Sequence, residues 1–188
     1  MITYLNGSTD QTESIVKTFP LCRIVHGEFH DDFARLRNDA ISQCQNDHIF
    51  GLDGDEYIDP KVYYEIKRIF ETTDLYAIRF PRYNQYTPDT YVPRFYPDYQ
   101  TRALDRKQTH YIRALHEIVQ APENMIATSI LHIHHRAYKN IESDIEDYIL
   151  QCKIAEKHIS HESARARFQK AYTIFEKEAK PVPKQNLL

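Results

Sequence analysis

The 188-residue chain has no Trp, four Gly, three Cys and two Met. So few glycines, and no GxxxxGK, leave no Gly-rich loop to wrap phosphates with backbone N–H groups, which argues against P-loop enzymes. Cys22, Cys44 and Cys152 are odd in number and have no close pair. That excludes a disulfide framework and a Cys-based zinc site, and reads as reduced, half-buried thiols of an intracellular protein. No apolar run approaches the ~20 residues of a membrane span, and the N-terminus lacks a signal-peptide pattern. Neither sign of charge dominates: 24 Lys/Arg stand against 27 Asp/Glu, a formal charge of −3, which speaks against a general nucleic-acid binder.

What is present suffices for one ordinary core. Hydrophobic residues make up 41% and aromatic residues 12%, with 14 Tyr whose rings can sit half in water. The length fits a single domain spanning 1–188. Its charge is uneven. Residues 1–74 carry twice as many acidic as basic side chains, whereas Arg79, Arg82, Arg94, Arg102, Arg106, Lys107 and Arg113 outnumber the carboxylates around them. An acidic, metal-holding half and a basic half would suit an anionic ligand clamped between them, although surface charge also varies without function.

Local patterns divide the chain in three. In residues 1–74, strands are predicted at Ile2–Leu5, at Leu21–Val25 and up to Asp53. The first helix carries Ile15, Val16 and Phe19 on one face. The second, after Asp31 and Asp32, carries Phe33, Leu36, Ala40, Ile41 and Cys44. Asp59-Pro60 is a cap with Pro at the first helical position, and Val62, Ile66, Ile69 and Phe70 give that helix its apolar face. The order βαβαβα predicts an α/β fold with a mostly parallel central sheet flanked by helices. Residues 75–140 then read as a strand at Leu75–Tyr83, a Tyr- and Pro-rich loop over 84–100, and strands at Thr101–Leu104, Tyr111–Leu115 and Met125–His135. Two C-terminal helices are predicted over 141–159 and 163–179, the second with Phe168, Ala171, Tyr172 and Phe175 inward.

Four constellations can carry chemistry. In His48–Asp59 an apolar run ends in Asp53, Asp55 and Glu56. Two carboxylates one residue apart can grip a hard divalent cation shared with substrate phosphates; the same turn also fits a solvated cap. Arg37, followed by Asn38, offers a fork that matches phosphate, or is an exposed helix arginine. Tyr96-Pro97-Asp98-Tyr99-Gln100-Thr101-Arg102 precedes His116-Glu117, where the carboxylate is a candidate general base or a structural ion-pair partner. In His132-Ile133-His134-His135, strand alternation puts His132 and His134 on one face and His135 on the other. The first two could form a zinc pair but have no third ligand at suitable spacing, so one metal-facing His fits better.

Taken in order, these segments resemble family 2 glycosyltransferases of the GT-A fold, and within them the branch that resembles bacterial lipopolysaccharide-core glucosyltransferases. The resemblance rests on Gly7-Ser8-Thr9-Asp10 with Thr12, Phe33-x-x-x-Arg37-Asn38, Ile49-Phe50-x-Leu52-Asp53-x-Asp55-Glu56, the Tyr96–Arg102 segment, His116-Glu117 and His135-x-x-Tyr138. It covers roughly residues 2–140. It implies a nucleotide/metal half (1–74), an acceptor half (75–140) and C-terminal helices (141–180). Ser8 and Asp10 would lie by the nucleotide, Arg37 on nucleotide or diphosphate, and Arg102 beside the leaving charge. Asp53 would approach ribose or metal. Asp55 and His135 would hold Mn2+ or Mg2+ on the diphosphate, and Glu117 would be the catalytic base. Donor and acceptor would be a nucleotide-diphosphate sugar and a glycan, lipid-linked or protein hydroxyl. The aromatic stretch Tyr76–Tyr99 is the expected acceptor platform. The resemblance also implies a strand and helix ahead of the Gly7 turn and an acidic residue where Leu5 stands, so the domain is expected to lack that first β-α unit. The expected setting is cytoplasmic, peripheral to a membrane at most. Two rivals use the same residues: a metal-dependent nucleotidyltransferase, and a GT-A-like domain that binds glycan or protein without catalysis.

Overall fold

In the computed structural model, which describes residues 1–136 and 141–183, the chain opens with strand β1 (Ile2–Asn6), helix α1 (Thr12–Val16) and strand β2 (Arg23–Gly27). β1 and β2 pair in parallel as a two-stranded unit. A Cβ on Gly27 would lie 2.0 Å from the Tyr4 hydroxyl, so any side chain there would have to displace the Tyr4 ring. The apolar face expected on α1 stays uncovered, with Ile15 and Phe19 exposed. Helix α2 (Phe33–Ser42) starts at Asp32, whose carboxylate accepts from Arg35 N–H at 2.9 Å. That bond satisfies one of the helix's otherwise unpaired N-terminal donors.

Strands β3 (His48–Phe50) and β4 (Glu56–Ile58) follow. Helix α3 (Pro60–Thr72) starts at Asp59, which accepts from Lys61 N–H. Next come β5 (Ala77–Thr87), β6 (Thr90–Tyr91), β7 (Asp98–Asp105), β8 (His110–Ile112), β9 (Ile118–Gln120), β10 (Ile126–Thr128) and β11 (Ile133–His135). Helices α4 (Ile141–Ile154) and α5 (His161–Glu178) and strand β12 (Lys180–Pro181) end the described chain. Tyr138 lies outside the described residues. Among the described residues, no helix is long and apolar enough to cross a membrane.

β5 is the spine of the main sheet. It pairs with β6 and β7 antiparallel and with β10 and β11 in parallel. On its β10/β11 side, pairing stops after Arg79 and resumes at Arg82. Pro81, which has no N–H to give a ladder, sits in that gap. β3 pairs with β7, β4 with β11, β6 with β12, and β8 with β9, all antiparallel. The expected mostly parallel sheet is therefore corrected to a mixed, mostly antiparallel one. The reading of βα alternation took β3 as a neighbour of the earlier strands. Instead Ile49 lies opposite Leu104 of β7, far along the chain. The expected strand up to Asp53 is also split, because β3 ends at Phe50 and β4 begins at Glu56.

The strand period of two separates two cores. Ile78 and Ala103 join Phe80, Ile133 and the Val62, Ile66 and Phe70 stripe of α3. Ala77 and Leu104, one residue along on each strand, join Ala34 of α2 with Tyr111 and Val119 of the β8–β9 hairpin. The sheet is thus covered on one face by α3 and on the other by α2 and the hairpin. Each fully buried large apolar side chain, such as Phe80 or Ile133, contributes about 1.5–3 kcal/mol.

Candidate functional site

The loop between β3 and β4 holds Asp53, Asp55 and Glu56, and three arginines reach it from three elements. Arg37 projects from α2. Its Nη1 and Nη2 donate to the two Asp53 oxygens at 2.8 and 2.9 Å, and its Nε donates to Glu117 Oε1 at 2.5 Å. The guanidinium lies over the Tyr111 ring, 5.5 Å from its centroid. α2 is fixed in register for this by Asn38, whose amide exchanges two hydrogen bonds with the Tyr111 backbone, and by Phe33 N–H, which donates to Ala114 C=O. Arg102, on β7 and only 3% exposed, donates from Nη2 to Asp53 Oδ2 at 2.6 Å and to Glu56 Oε1 at 2.7 Å, and from Nε to Glu56 Oε2 at 2.9 Å. Arg82, on β5, bridges Glu56 Oε1 at 2.7 Å and Asp98 Oδ2 at 2.6 Å.

Sheet register brings the rest together. His135 lies opposite Glu56 on one side and Asn84 on the other. Asn84 Nδ2 donates to Asp98 Oδ2 at 2.9 Å, and Asn84 Oδ1 pairs with His135 Nδ1 at 2.6 Å. A carboxamide oxygen only accepts, so Nδ1 carries a proton and donates to Asn84. His135 Nε2 is 3.2 Å from Asp55 Oδ2, and Arg136 N–H donates to Asp55 C=O at 2.8 Å, clamping the turn. The network is continuous from Glu117 through Arg37, Asp53, Arg102, Glu56, Arg82, Asp98, Asn84 and His135 to Asp55.

The electrostatics follow from this wiring. Burial pushes the Asp53 carboxyl up, but the Arg37 hydrogen bonds and the charges of Arg102 and Arg37 outweigh it and bring it down to about 2. Asp98 is likewise raised by burial and lowered more by Arg82, Asn84 and Gln100, for a net fall. Arg37 and Arg102 are held above the ordinary guanidinium range despite burial, because carboxylates surround them.

The eight site residues singled out from sequence fall as follows. Arg37, Asp53, Arg102, Glu117, Asp55 and His135 share the network. Within it both oxygens of Asp53 are taken by arginines. Asp10 caps the turn after β1 by accepting from Thr12 N–H at 2.9 Å, and Ser8 is exposed on the same turn. Among the described residues, no hydrogen bond or ion pair links Ser8 or Asp10 to the network. Glu56, Arg82, Asn84, Asp98 and Gln100 carry no role in the sequence reading, yet they are integral here. The signal for them was alternation: Arg82 and Asn84 on β5, and Asp98, Gln100 and Arg102 on β7, are polar at every second position.

His132 and His134 do share a face, opposite His135. His134 stacks on Tyr57 with centroids 4.8 Å apart, and His132 stacks on Tyr83 at 4.7 Å and bonds the Tyr96 hydroxyl through Nε2 at 2.7 Å. Burial lowers both imidazoles. Among the described residues, no group of three or more His, Cys, Asp or Glu converges where a metal ion would sit. Asp55 and His135 can therefore contribute at most part of a coordination shell, an oxygen and a nitrogen that suit Mn2+ or Mg2+ completed by phosphate oxygens and water.

A family model described as Glycosyl transferase family 2 matches residues 1–133. No curated protein matches the chain.

Proposed function

Because the chain belongs to glycosyl transferase family 2, for which a nucleotide sugar and an acceptor are the implied partners, we propose that it moves a sugar from a nucleotide-diphosphate donor to an acceptor hydroxyl with inversion at the anomeric carbon. The observation that carries this reading is the Asp55 Oδ2–His135 Nε2 pair at 3.2 Å, at one end of a network in which five carboxylates meet three guanidiniums. Bound between Asp55 and His135, Mn2+ or Mg2+ would neutralise charge developing on the departing diphosphate.

The chain's own residues do the remaining work. Asn84 fixes the His135 tautomer so that Nε2 faces the cation position. Arg37 and Arg102 hold Asp53 rigidly between them, where it orients the donor. Arg37 also holds Glu117 Oε1, so Glu117 turns Oε2 to the acceptor hydroxyl and takes its proton as the oxygen attacks. Ser8 and Asp10 lie by the nucleotide. In this reading its chemistry resembles that of the lipopolysaccharide-core glucosyltransferases, and its setting is the cytoplasm. One observation favours a second reading, a GT-A-like binding domain without catalysis: both Asp53 oxygens and one of Glu117 are engaged by arginines.

The test uses the intact chain with Mn2+ and a panel of UDP-, GDP- and CMP-sugars, reading thermal shift and nucleotide release. Metal-dependent stabilisation by at least one donor is expected, and its absence with all of them refutes the transferase reading. Asp55→Ala should abolish the metal dependence. Glu117→Gln should keep donor binding and lose transfer; retained transfer removes Glu117 from the base role.

A further inference from the structure

Beside the network lies an open cleft of about 340 Å3 lined by Asn84, Arg94, Phe95, Tyr96, Pro97 and Asp98. We propose that this cleft binds the terminal ring of a neutral glycan, with one sugar hydroxyl on Asp98 and the apolar ring face on Phe95 and Tyr96. Its use as the acceptor subsite rests on the transferase reading; the binding itself does not.

The lining is half aromatic or Pro and half polar, the mixture a pyranose presents. The C–H face of a sugar packs on rings, and its rim of hydroxyls needs carboxylate and carboxamide partners. Phe95 is 46% exposed and so available. Tyr96 is held rigid, stacked on Tyr83 with centroids 4.5 Å apart and tied through its hydroxyl to His132. A rigid ring loses little freedom on binding. Asp98 Oδ2 already accepts from Arg82 and Asn84, whereas Oδ1 accepts from Gln100 at 2.9 Å. Each carboxylate oxygen offers about two acceptor sites, which leaves Oδ1 room for a hydroxyl.

Charge and polarity argue against other ligands. Arg94 is engaged at both ends of its fork by Glu178 of α5, and Arg82 is engaged by Asp98 and Glu56. Each cation at the cleft thus already has its carboxylate, so a phosphate would find no uncompensated charge. A lipid chain would strand Asn84, Asp98 and Arg94 against hydrocarbon, at the cost of unpaired polar groups. Position favours an acceptor. Asn84 belongs both to the cleft and to the hydrogen bond on His135, so a ring seated here sits one side chain from the Asp55–His135 pair.

The experiment titrates the intact, metal-free chain with methyl glycosides of glucose, galactose, mannose and N-acetylglucosamine. Saturation-transfer NMR and chemical-shift changes at the Phe95 amide and the Asn84 side-chain amide give the readout. At least one glycoside should bind with shifts at the cleft, and Phe95→Ala and Asp98→Asn should each weaken it about tenfold. Phe95 is half exposed but its ring also meets Phe175 at 5.4 Å, so Phe95→Ala should lower the melting temperature only slightly, and binding is read well below that temperature. No shift with any glycoside, or equal affinity in parent and both variants, overturns the proposal. So does binding of octyl glucoside or glucose 1-phosphate where methyl glucoside does not bind, which would point to the chain or the phosphate. Donor binding without glycoside binding removes the cleft assignment alone. Glycoside binding that meets these criteria without any donor binding supports the cleft and removes the transferase reading.

Discussion

Arg102→Met would show whether the network holds the fold together as well as the site. Arg102 is 3% exposed and joins Asp53 to Glu56, which is itself buried. Methionine fills much of the space but returns no donor. Asp53 would keep Arg37 and Glu56 would keep Arg82, so neither carboxylate is abandoned. Breaking a buried pair from one side costs about 3–5 kcal/mol, and the surviving partners place the expected loss at about 3. For a chain of this length, each kcal/mol moves the melting temperature by about 2–4 °C, so a fall of about 6–12 °C is expected. Thermal unfolding followed by circular dichroism at neutral pH measures it. Moderate salt should change the difference little, because the charges are largely out of water. Adding Glu56→Gln to Arg102→Met should recover part of the loss, since it removes the carboxylate left under-compensated. A single variant within about 1 °C of the parent, or a double variant that simply adds two losses, would refute the reasoning.

Asn84→Ala should weaken Mn2+ binding in the presence of donor about 10–100-fold, measured by electron paramagnetic resonance of the free ion, while Arg82 still holds Asp98. Acid should destabilise the protein over a defined window. Asp53 is held near 2 against an ordinary value of 3.8, so its contribution is complete above about pH 4 and is lost as pH falls towards 2; Asp53→Asn should flatten that part of the pH–stability curve. His132 and His134 are lowered from 6.5 by burial, so their neutral forms favour the fold above that pH and the benefit drains as pH falls below it; His134→Phe should reduce the slope of the stability curve below pH 6.5. Phe80→Ala, in the core against α3, should cost about 3–5 kcal/mol in urea unfolding and leave the cleft's sugar binding in place.

The helices were the most legible part of the sequence. Val62, Ile66 and Phe70 after Asp59-Pro60 state both the buried face and the start of α3, because spacing and cap chemistry are local. Of the rings predicted inward on α5, Tyr172 and Phe175 pack on Tyr86, and Phe175 also on Phe95, whereas Phe168 packs on Tyr148 of α4. Strand partners were not legible. Nothing near Ile49 announces Leu104 as its neighbour, since pairing is settled by contacts remote in sequence. The Tyr- and Pro-rich 84–100 stretch read as a loop, yet β5 runs through Thr87 because Tyr83 and Gln85 are buried against the sheet's neighbours. In the site, motif residues of both signs were recognisable, Asp53, Asp55 and Glu117 with Arg37 and Arg102. Their cross-links were hidden, because a strand arginine such as Arg82 looks like surface until register sets it opposite Asp98.

The central position of β5 has a consequence for how the molecule comes apart. One strand carries Ile78 and Phe80 in the core, Arg82 in the charge network and Asn84 at the cleft, and it gives its backbone to four other strands. The binding regions therefore cannot open by local fraying without unzipping the sheet. Amide protons of β5 should exchange with solvent only through global unfolding, whereas those of the β1–β2 pair, which has its own small sheet, should exchange through a cheaper, separate opening.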